Sequence, residues 1–472
     1  MNPTHSILHA ALEIGLAASP ALSPVLRRLV GRITFGGNRY EWNLAKTLGY
    51  DGYLDYHLDY TAIPDDDLNR SLSNLTTLNS SPIDMFMMME KQGDDRPVVE
   101  FITATLSRSA YSKRQLYQRM VEFWSDHFNI FFGKDTQELL KPLDDRNVIR
   151  KHALESFPEL LRASARSGAM LMYLDNVSNH VAAPNQNYAR ELMELYTLGP
   201  GHYTQYDIEE VARCFTGWNV DRNEKSKHFG VFRFEPHMHD YGVKNVLGHC
   251  IPSGNGVEDG ERVLEILTSD PKLAPLTGRF IGQKLVEFFW GEDPPAELVE
   301  QVAKVYVQTK GAIKPMVRAS LGRPWLERAR PKLKRPYHLM MSAIRALPSE
   351  IEAPEALADV LRVMGHLPFH WVAPDGYPTE AAYWGGHLLS RWSFGAWFVD
   401  QNSIVRIDDA LFDGALTPQA FLDRIDASFF GGTLPSRDRD ALNAYLSRDA
   451  KDPATRRETV GLAISSPAFQ WY

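Results

Sequence analysis

Hydrophobic residues recur at three- and four-residue steps along most of the chain. Residues 106–127 place Leu106, Leu116, Met120, Phe123, Trp124 and His127 in that pattern, and residues 207–218 place Ile208, Val211, Ala212 and Phe215. Side chains so spaced share one face of a helix, so both stretches predict helices with a buried stripe. The same period predicts helices over 257–267, 272–288, 297–309, 337–347 and 380–397, with two more near the C-terminus. Convincing β signal is confined to Val231-Phe232-Arg233-Phe234 and Lys244-Asn245-Val246-Leu247-Gly248, joined across residues 236–242. The expected fold class is therefore mainly α: a large multi-helix globular fold with a small β-hairpin insertion near residues 231–248. No long Ser/Gly linker, composition break or internal repeat divides the sequence, so residues 1–472 are expected to form a single helical domain. Residues 62–81, with Asp65, Asp66 and Asp67 among Ser, Asn and Thr, read as a surface excursion.

A chain of 472 residues, 44% of them hydrophobic, can bury a large core. Its 51 Lys and Arg against 59 Asp and Glu leave a net charge of -8, which argues against a protein whose main task is gripping a nucleic acid backbone. The basic run Arg328, Arg330, Lys332, Lys334, Arg335 is the local exception, and its alternation with Ala, Pro and Leu reads as a solvated linker. Two cysteines are too few for a disulfide framework or a thiolate zinc site, and they leave room for one bridge at most. Cys214, among Val211, Ala212 and Phe215, reads as a buried small hydrophobe. No run of apolar residues is long enough for a membrane span. Residues 7–22 are interrupted by His9 and Glu13 and follow no Lys or Arg, so an amphipathic first helix ending near Arg27 and Arg28 is favoured over a signal peptide. That reading favours a cytoplasmic location, with a periplasmic or exported one as the alternative. His5 and His9 have the spacing of metal ligands on a helix, but in a terminus prone to fray.

The densest chemistry lies in Asn185-Gln186-Asn187-Tyr188-Ala189-Arg190-Glu191-Leu192-Met193-Glu194-Leu195. On a helix, Arg190, Glu191 and Glu194 share one region of surface while Leu192, Leu195 and Tyr196 mark the packed face. A structural account exists: Asn185 or Asn187 caps the helix, Arg190 pairs with Glu194, and Glu191 favours the positive end of the macrodipole. A chemical account groups these acids with other residues of ligand type. His127 ends an apolar helix, and His239 follows a strand with Asp240 beside it, as a ligand or general acid/base with an orienting partner. His366 and His370 are separated by Pro368 and so belong to a loop. With Trp371, Asp375, Tyr377, Tyr383 and Trp384 they form either the rim of a pocket or, the favoured reading, a lid packed on the helices. Gly278-Arg279-Phe280-Ile281-Gly282-Gln283-Lys284 echoes a phosphate loop, but it is one residue short and lacks a following Ser or Thr, so it reads as a packed helix.

Several motifs then follow in a specific order: Trp124-Ser125-Asp126-His127-Phe128, Asn187 through Leu195, Thr197-Leu198-Gly199, Tyr203-Thr204-Gln205 with Asp207, Thr216-Gly217-Trp218, and His239-Asp240 through Lys244 to Gly248. Together with Arg32-Ile33-Thr34-Phe35-Gly36 and Ser465-Ser466-Pro467-Ala468-Phe469-Gln470, they resemble the bacterial family catalogued as domain of unknown function 1800 over nearly the whole chain. The resemblance bears on fold and site rather than on activity. It also implies export for some members and a sulfatase-like companion protein as a partner. Gln186 stands where the family usually has Glu within Asn-Glu-Asn, and Tyr377 where the C-terminal motif usually has Trp after Gly. A catalytic role that needs a carboxylate at 186 therefore does not carry over.

The leading expectation is a metal-dependent enzyme, a hydrolase or an oxidoreductase acting on an unidentified substrate. His127, Glu191 and His239 would hold a divalent ion, and mixed imidazole and carboxylate ligation suits iron, zinc or manganese. Glu194 or Asp240 would add a ligand or transfer a proton, and Arg190 would clamp an anionic group or fix Glu194. The competing expectation is a non-enzymatic binding or assembly protein whose polar cluster is a structural network. Neither involves a nucleic acid or a membrane span.

Overall fold

The computed structural model describes residues 22–386, 388–412 and 416–472. Of the first helix expected to end near Arg27 and Arg28, the part before Leu22, with His5 and His9, lies outside the described residues. A helix, Pro24–Ile33, instead begins at a Ser23 cap and carries Arg27 and Arg28 in its middle.

The architecture is mainly α, as the hydrophobic periodicity requires. One apolar cluster runs from Leu22 to Ala329 and is enclosed by helices that include Gln115–His127, Phe157–Ala165, Asn187–Glu194, Gln205–Cys214, Ala274–Trp290 and Ala296–Thr309. A second cluster joins Phe35, Phe101 and Leu106 to the helices Pro336–Ala346, Pro354–Val363 and Pro453–Ser465. The glycine-containing segment before Lys284 is indeed a packed helix: a Cβ at Gly278 would lie 2.9 Å from the Tyr306 ring, so the two helices approach closely there.

Two expectations about elements change. Residues 106–127 form parts of two helices, Arg96–Tyr111 and Gln115–His127, rather than one. The break is made by Asp65, whose buried carboxylate accepts from Ser112 Oγ at 2.6 Å and from the Lys113 amide at 2.9 Å. Those bonds hold Ser112 in extended backbone and leave the next helix to start afresh. Asp65 precedes a short helix, Asp66–Leu72, so the acidic end of the surface excursion is part of the core's scaffold.

The β signal is real but its partners differ. Phe232–Phe234 pairs antiparallel with Trp218–Val220, and Lys244–Val246 pairs with His249–Ile251, not with Phe232–Phe234. Leu247 and Gly248 both have positive φ, which is the two-residue turn that closes a tight hairpin. Ser349–Ile351 and Val405–Ile407 form a further pair.

The basic run is solvated only at its start, where Arg328 and Arg330 are exposed. Lys334 and Arg335 are buried, and Lys332 and Lys334 donate their amides to the Tyr472 and Gln470 carbonyls, so this strap is bridged to the C-terminus. Cys214 is buried and Cys250 exposed, and both thiols are free. Among the described residues, no helix is long and apolar enough to cross a membrane.

Replacing Asp65 by Ala strands the Ser112 hydroxyl and the Lys113 amide in the interior. The expected cost is about 1–3 kcal/mol, measured as a lowered denaturant midpoint with unchanged slope. An Asp65→Ala variant as stable as the parent would show that the break between these helices does not depend on this carboxylate.

Candidate functional site

The helix Gln115–His127 ends in Asp126 and His127, and both line a cavity of about 280 Å³. The opposite wall is the helix Ala274–Trp290, which contributes Lys284 and Glu287, and Arg335 closes one side. Residues 375–380 form the roof. Gly376 makes that roof fit: its φ is +82°, and a Cβ there would sit 2.2 Å from the Asp126 carbonyl oxygen. The roof is tied down by Asn129, whose Nδ2 donates to the Trp371 and Ala373 carbonyls at 2.9 and 2.6 Å, and by Tyr173, whose hydroxyl donates to Val372 at 2.6 Å. Trp371 Nε1 donates to Asp375 Oδ1 at 2.8 Å. Behind it His366 stacks on Trp384 and packs on Tyr377, so the aromatic residues of this loop pack as a lid.

His127 is buried among Phe123, Trp124, Phe128 and Tyr196. Its Nε2 faces the Tyr196 carbonyl at 3.2 Å, which only an N–H can satisfy, so Nδ1 keeps the lone pair. That lone pair meets Lys284 Nζ at 3.5 Å, and the same ammonium donates to the Leu195 carbonyl at 3.1 Å. Burial, and then the neighbouring Lys284 charge, drives the imidazole far below its ordinary range and keeps it neutral. Burial also lowers Lys284 to about 8, against the pull of Glu287, Asp375 and Asp126.

Asp126 gives Oδ2 to Arg335 Nη1 at 2.8 Å, and its Oδ1 has no hydrogen-bond partner among the described residues. Arg335 also grips Glu122, which pairs in turn with Arg119. Burial raises Asp126 to about 6 despite Arg335, with Glu122 adding to the rise.

The central helix Asn187–Glu194 ends just before Leu195, whose carbonyl receives Lys284. Its start is stitched to the preceding turn: Asn185 Oδ1 accepts from the Asn187 amide at 2.9 Å, and Asn187 Nδ2 donates to Leu174 at 3.1 Å. Glu191 is half-buried, and its carboxylate forms no hydrogen bond or ion pair among the described residues. Burial, then Glu194 and Asp375, raise its carboxyl, with Arg190 opposing. The expected pairing of Arg190 with Glu194 is not made. Glu194 accepts from the Tyr203 hydroxyl at 2.9 Å, and Arg190 donates to Gln205 at 3.2 Å.

His239 belongs to a different place. Its Nδ1 lies 2.7 Å from the Thr216 carbonyl and its Nε2 lies 3.2 Å from Asp259 Oδ2, so both nitrogens are occupied. Lys244 shares the Asp259 carboxylate. The partner expected to orient His239 was Asp240; Asp259 takes that role, while Asp240 pairs with Arg213 at 2.7 Å. This second cluster is a buried ion network that locks the hairpin onto the helix Gln205–Cys214.

The expected trio of His127, Glu191 and His239 is thus not gathered. Among the described residues, no three His, Cys, Asp or Glu side chains stand close enough to hold one ion. At His127 the only free lone pair already faces an ammonium, and at His239 there is none. The residues that do assemble include two that sequence reasoning passed over. Asp126 stands inside the quoted Trp124–Phe128 motif, and Lys284 is a lone cation between Phe280 and Phe288 on its helix.

A family model described as "Protein of unknown function (DUF1800)" matches residues 28–471. Comparisons with curated proteins and with solved structures give no match.

Lysines ordinarily titrate near 10.4, so Lys284 is singled out by its lowered value. Acylation of its amine, followed by peptide mass spectrometry across pH, is expected to titrate with a midpoint near 8. A midpoint above 10 would remove Lys284 as a group poised for proton transfer.

Proposed function

We propose an enzyme that moves protons in the cleft between Asp126 and Lys284, and the premise is plain: the chain belongs to the DUF1800 family, whose description assigns no activity. The observation that carries the proposal is the pairing in one cavity of a carboxyl raised to about 6 with an amine lowered to about 8. Titratable groups pushed to either side of neutrality supply a base and an acid at the same pH. At pH 7 Asp126 is mainly carboxylate and its unpartnered Oδ1 accepts a proton, while Lys284 is mainly ammonium and donates one. His127 is a positioning residue: its neutral Nδ1 holds the Lys284 ammonium in place. Arg335 holds Asp126 and stands ready beside negative charge that develops on a substrate. Hydrolysis suits this set, with Asp126 drawing a proton from water and Lys284 protonating the leaving group.

A second reading keeps the metal. Glu191 has a half-buried carboxyl that burial, Glu194 and Asp375 raise, so a divalent cation there would relieve it, held by Glu191 with water rather than by three side chains together. Elemental analysis of protein purified without added metal tests it. Near-stoichiometric iron, zinc or manganese that is lost on Glu191→Gln supports this reading, and metal retained by that variant removes Glu191 from it.

The acid/base proposal is tested with a panel of chromogenic esters, amides and phosphoesters. For any substrate turned over, kcat/KM is expected to rise with pH as Asp126 loses its proton near 6 and to fall as Lys284 loses its proton near 8. Asp126→Asn and Lys284→Met should each lower kcat by about 10²–10⁴-fold while retaining the parental circular dichroism. Turnover that survives both substitutions would sink the proposal.

A further inference from the structure

The strap and the C-terminus enclose a second cavity of about 280 Å³, bounded by the helices Pro24–Ile33 and Pro336–Ala346. Arg27, Arg28, Lys334 and His338 line it. Arg32 and Lys332 on the neighbouring backbone, and Arg391 from the helix Leu388–Asp400, crowd further basic side chains here, and burial, then these neighbours, drive the Lys332, Lys334 and His338 groups far below their ordinary pKa ranges. Arg335 directs its ion pairs toward Glu122 and Asp126. None of the other cations here forms an ion pair with a carboxylate among the described residues.

Most of them donate at least once to a backbone carbonyl, although Arg32 Nε and Nη1 and Arg391 Nη1 keep no partner. Arg28 donates to the Leu326 and Glu327 carbonyls, Arg32 to Trp290 and Arg330, Lys332 to Glu287 and Phe288, and Arg391 to Lys334. Carbonyls at helix C-termini carry partial negative charge, which accounts for several of these burials. Two groups on residues that line the cavity are left over. His338 Nε2 is buried with no hydrogen-bond partner. Lys334 Nζ rests on the Phe469 ring, 3.8 Å from its centroid, and has no hydrogen-bond acceptor among the described residues. Leaving such groups without partners is costly, and an anion in the cavity would relieve both by favouring their protonated forms.

We propose that this cavity binds a phosphate-type dianion, either the free ion or a small monoester. Arg27, Arg28, Lys334 and His338 all line this one space, and so many basic side chains around it suit a dianion better than a singly charged carboxylate. Trp42, Phe429 and Trp471 supply apolar wall for the organic part of an ester. The site shares no residue with the cleft of Asp126 and Lys284, so it stands or falls independently of the proposed activity.

The test is calorimetric titration and thermal unfolding of the full chain with inorganic phosphate and with phenyl phosphate, against sodium chloride at matched ionic strength. Saturable binding with stabilisation beyond the chloride control is expected, and tighter binding of phenyl phosphate assigns the site to a monoester. Equal affinities assign it to the free anion. Lys334→Met is expected to unfold no lower than the parent without ligand, because a buried amine with no acceptor is gone, yet to bind phosphate about tenfold more weakly or worse. Arg28→Gln, at a half-buried position, should weaken binding in the same direction and serves where Lys334→Met does not fold. Phosphate with no effect beyond chloride, or affinity unchanged in the folded variants, would overturn the proposal.

Discussion

Arg335 stands at the start of the helix Pro336–Ala346, whose apolar face belongs to one core, yet its guanidinium is spent on the helix Gln115–His127 of the other. There it lies between Glu122 and Asp126, and Arg119 completes the set by pairing with Glu122 while stacked between the Phe35 and Phe288 rings. Two cations and two carboxylates are balanced in this buried space. Removing Glu122 would leave two buried guanidinium groups short of a partner, at a cost of about 3–5 kcal/mol. Glu122 is held by two guanidinium groups and Asp126 by one. Burial keeps the proton of Asp126 toward neutrality against the pull of Arg335, so the contact that joins the two cores also sets the chemistry of the cleft.

Much of this was legible in the chain, for reasons particular to each residue. Helical stripes and most helix positions follow from local periodicity, and Arg119, Glu122 and Asp126 lie at steps of three and four on one such stripe. The break after Tyr111 was not legible, because the carboxylate that makes it arrives from Asp65, far back in the sequence. The strands near 231–248 showed their period but not their partners. A short strand pairs with whatever the chain path brings alongside, and Trp218–Val220 was hidden at the end of a helical pattern.

The candidate site divides in the same way. His127 and Glu191 both lie near the cleft: Leu195, one turn beyond Glu191, takes Lys284, which also bonds His127. His239 was grouped with them by residue type, and type says nothing about distance. Its true partner, Asp259, lies in a helix whose acids read as an ordinary polar face. Lys284 was passed over because its segment failed as a phosphate loop, although a lysine hemmed by Phe280 and Phe288 is already a hint of burial.

The strap shows how far burial can depart from composition. Its three cations are each accommodated differently: Lys332 by carbonyls at a helix end, Arg335 by carboxylates, Lys334 by an aromatic ring. Because the backbone is bridged to Gln470 and Tyr472, each side chain is committed to its own direction and cannot trade environments with its neighbours. A solvated linker would accept the same residues in any order. Here the order matters: the guanidinium, able to serve two carboxylates through a planar fork, occupies the position that faces two acids. The amine of Lys334, on the Phe469 ring, is left beside open volume. Charge along the strap is therefore matched on one side and unmatched on the other, and that asymmetry separates a cleft tuned by internal pairing from a cavity that still lacks its counter-charge.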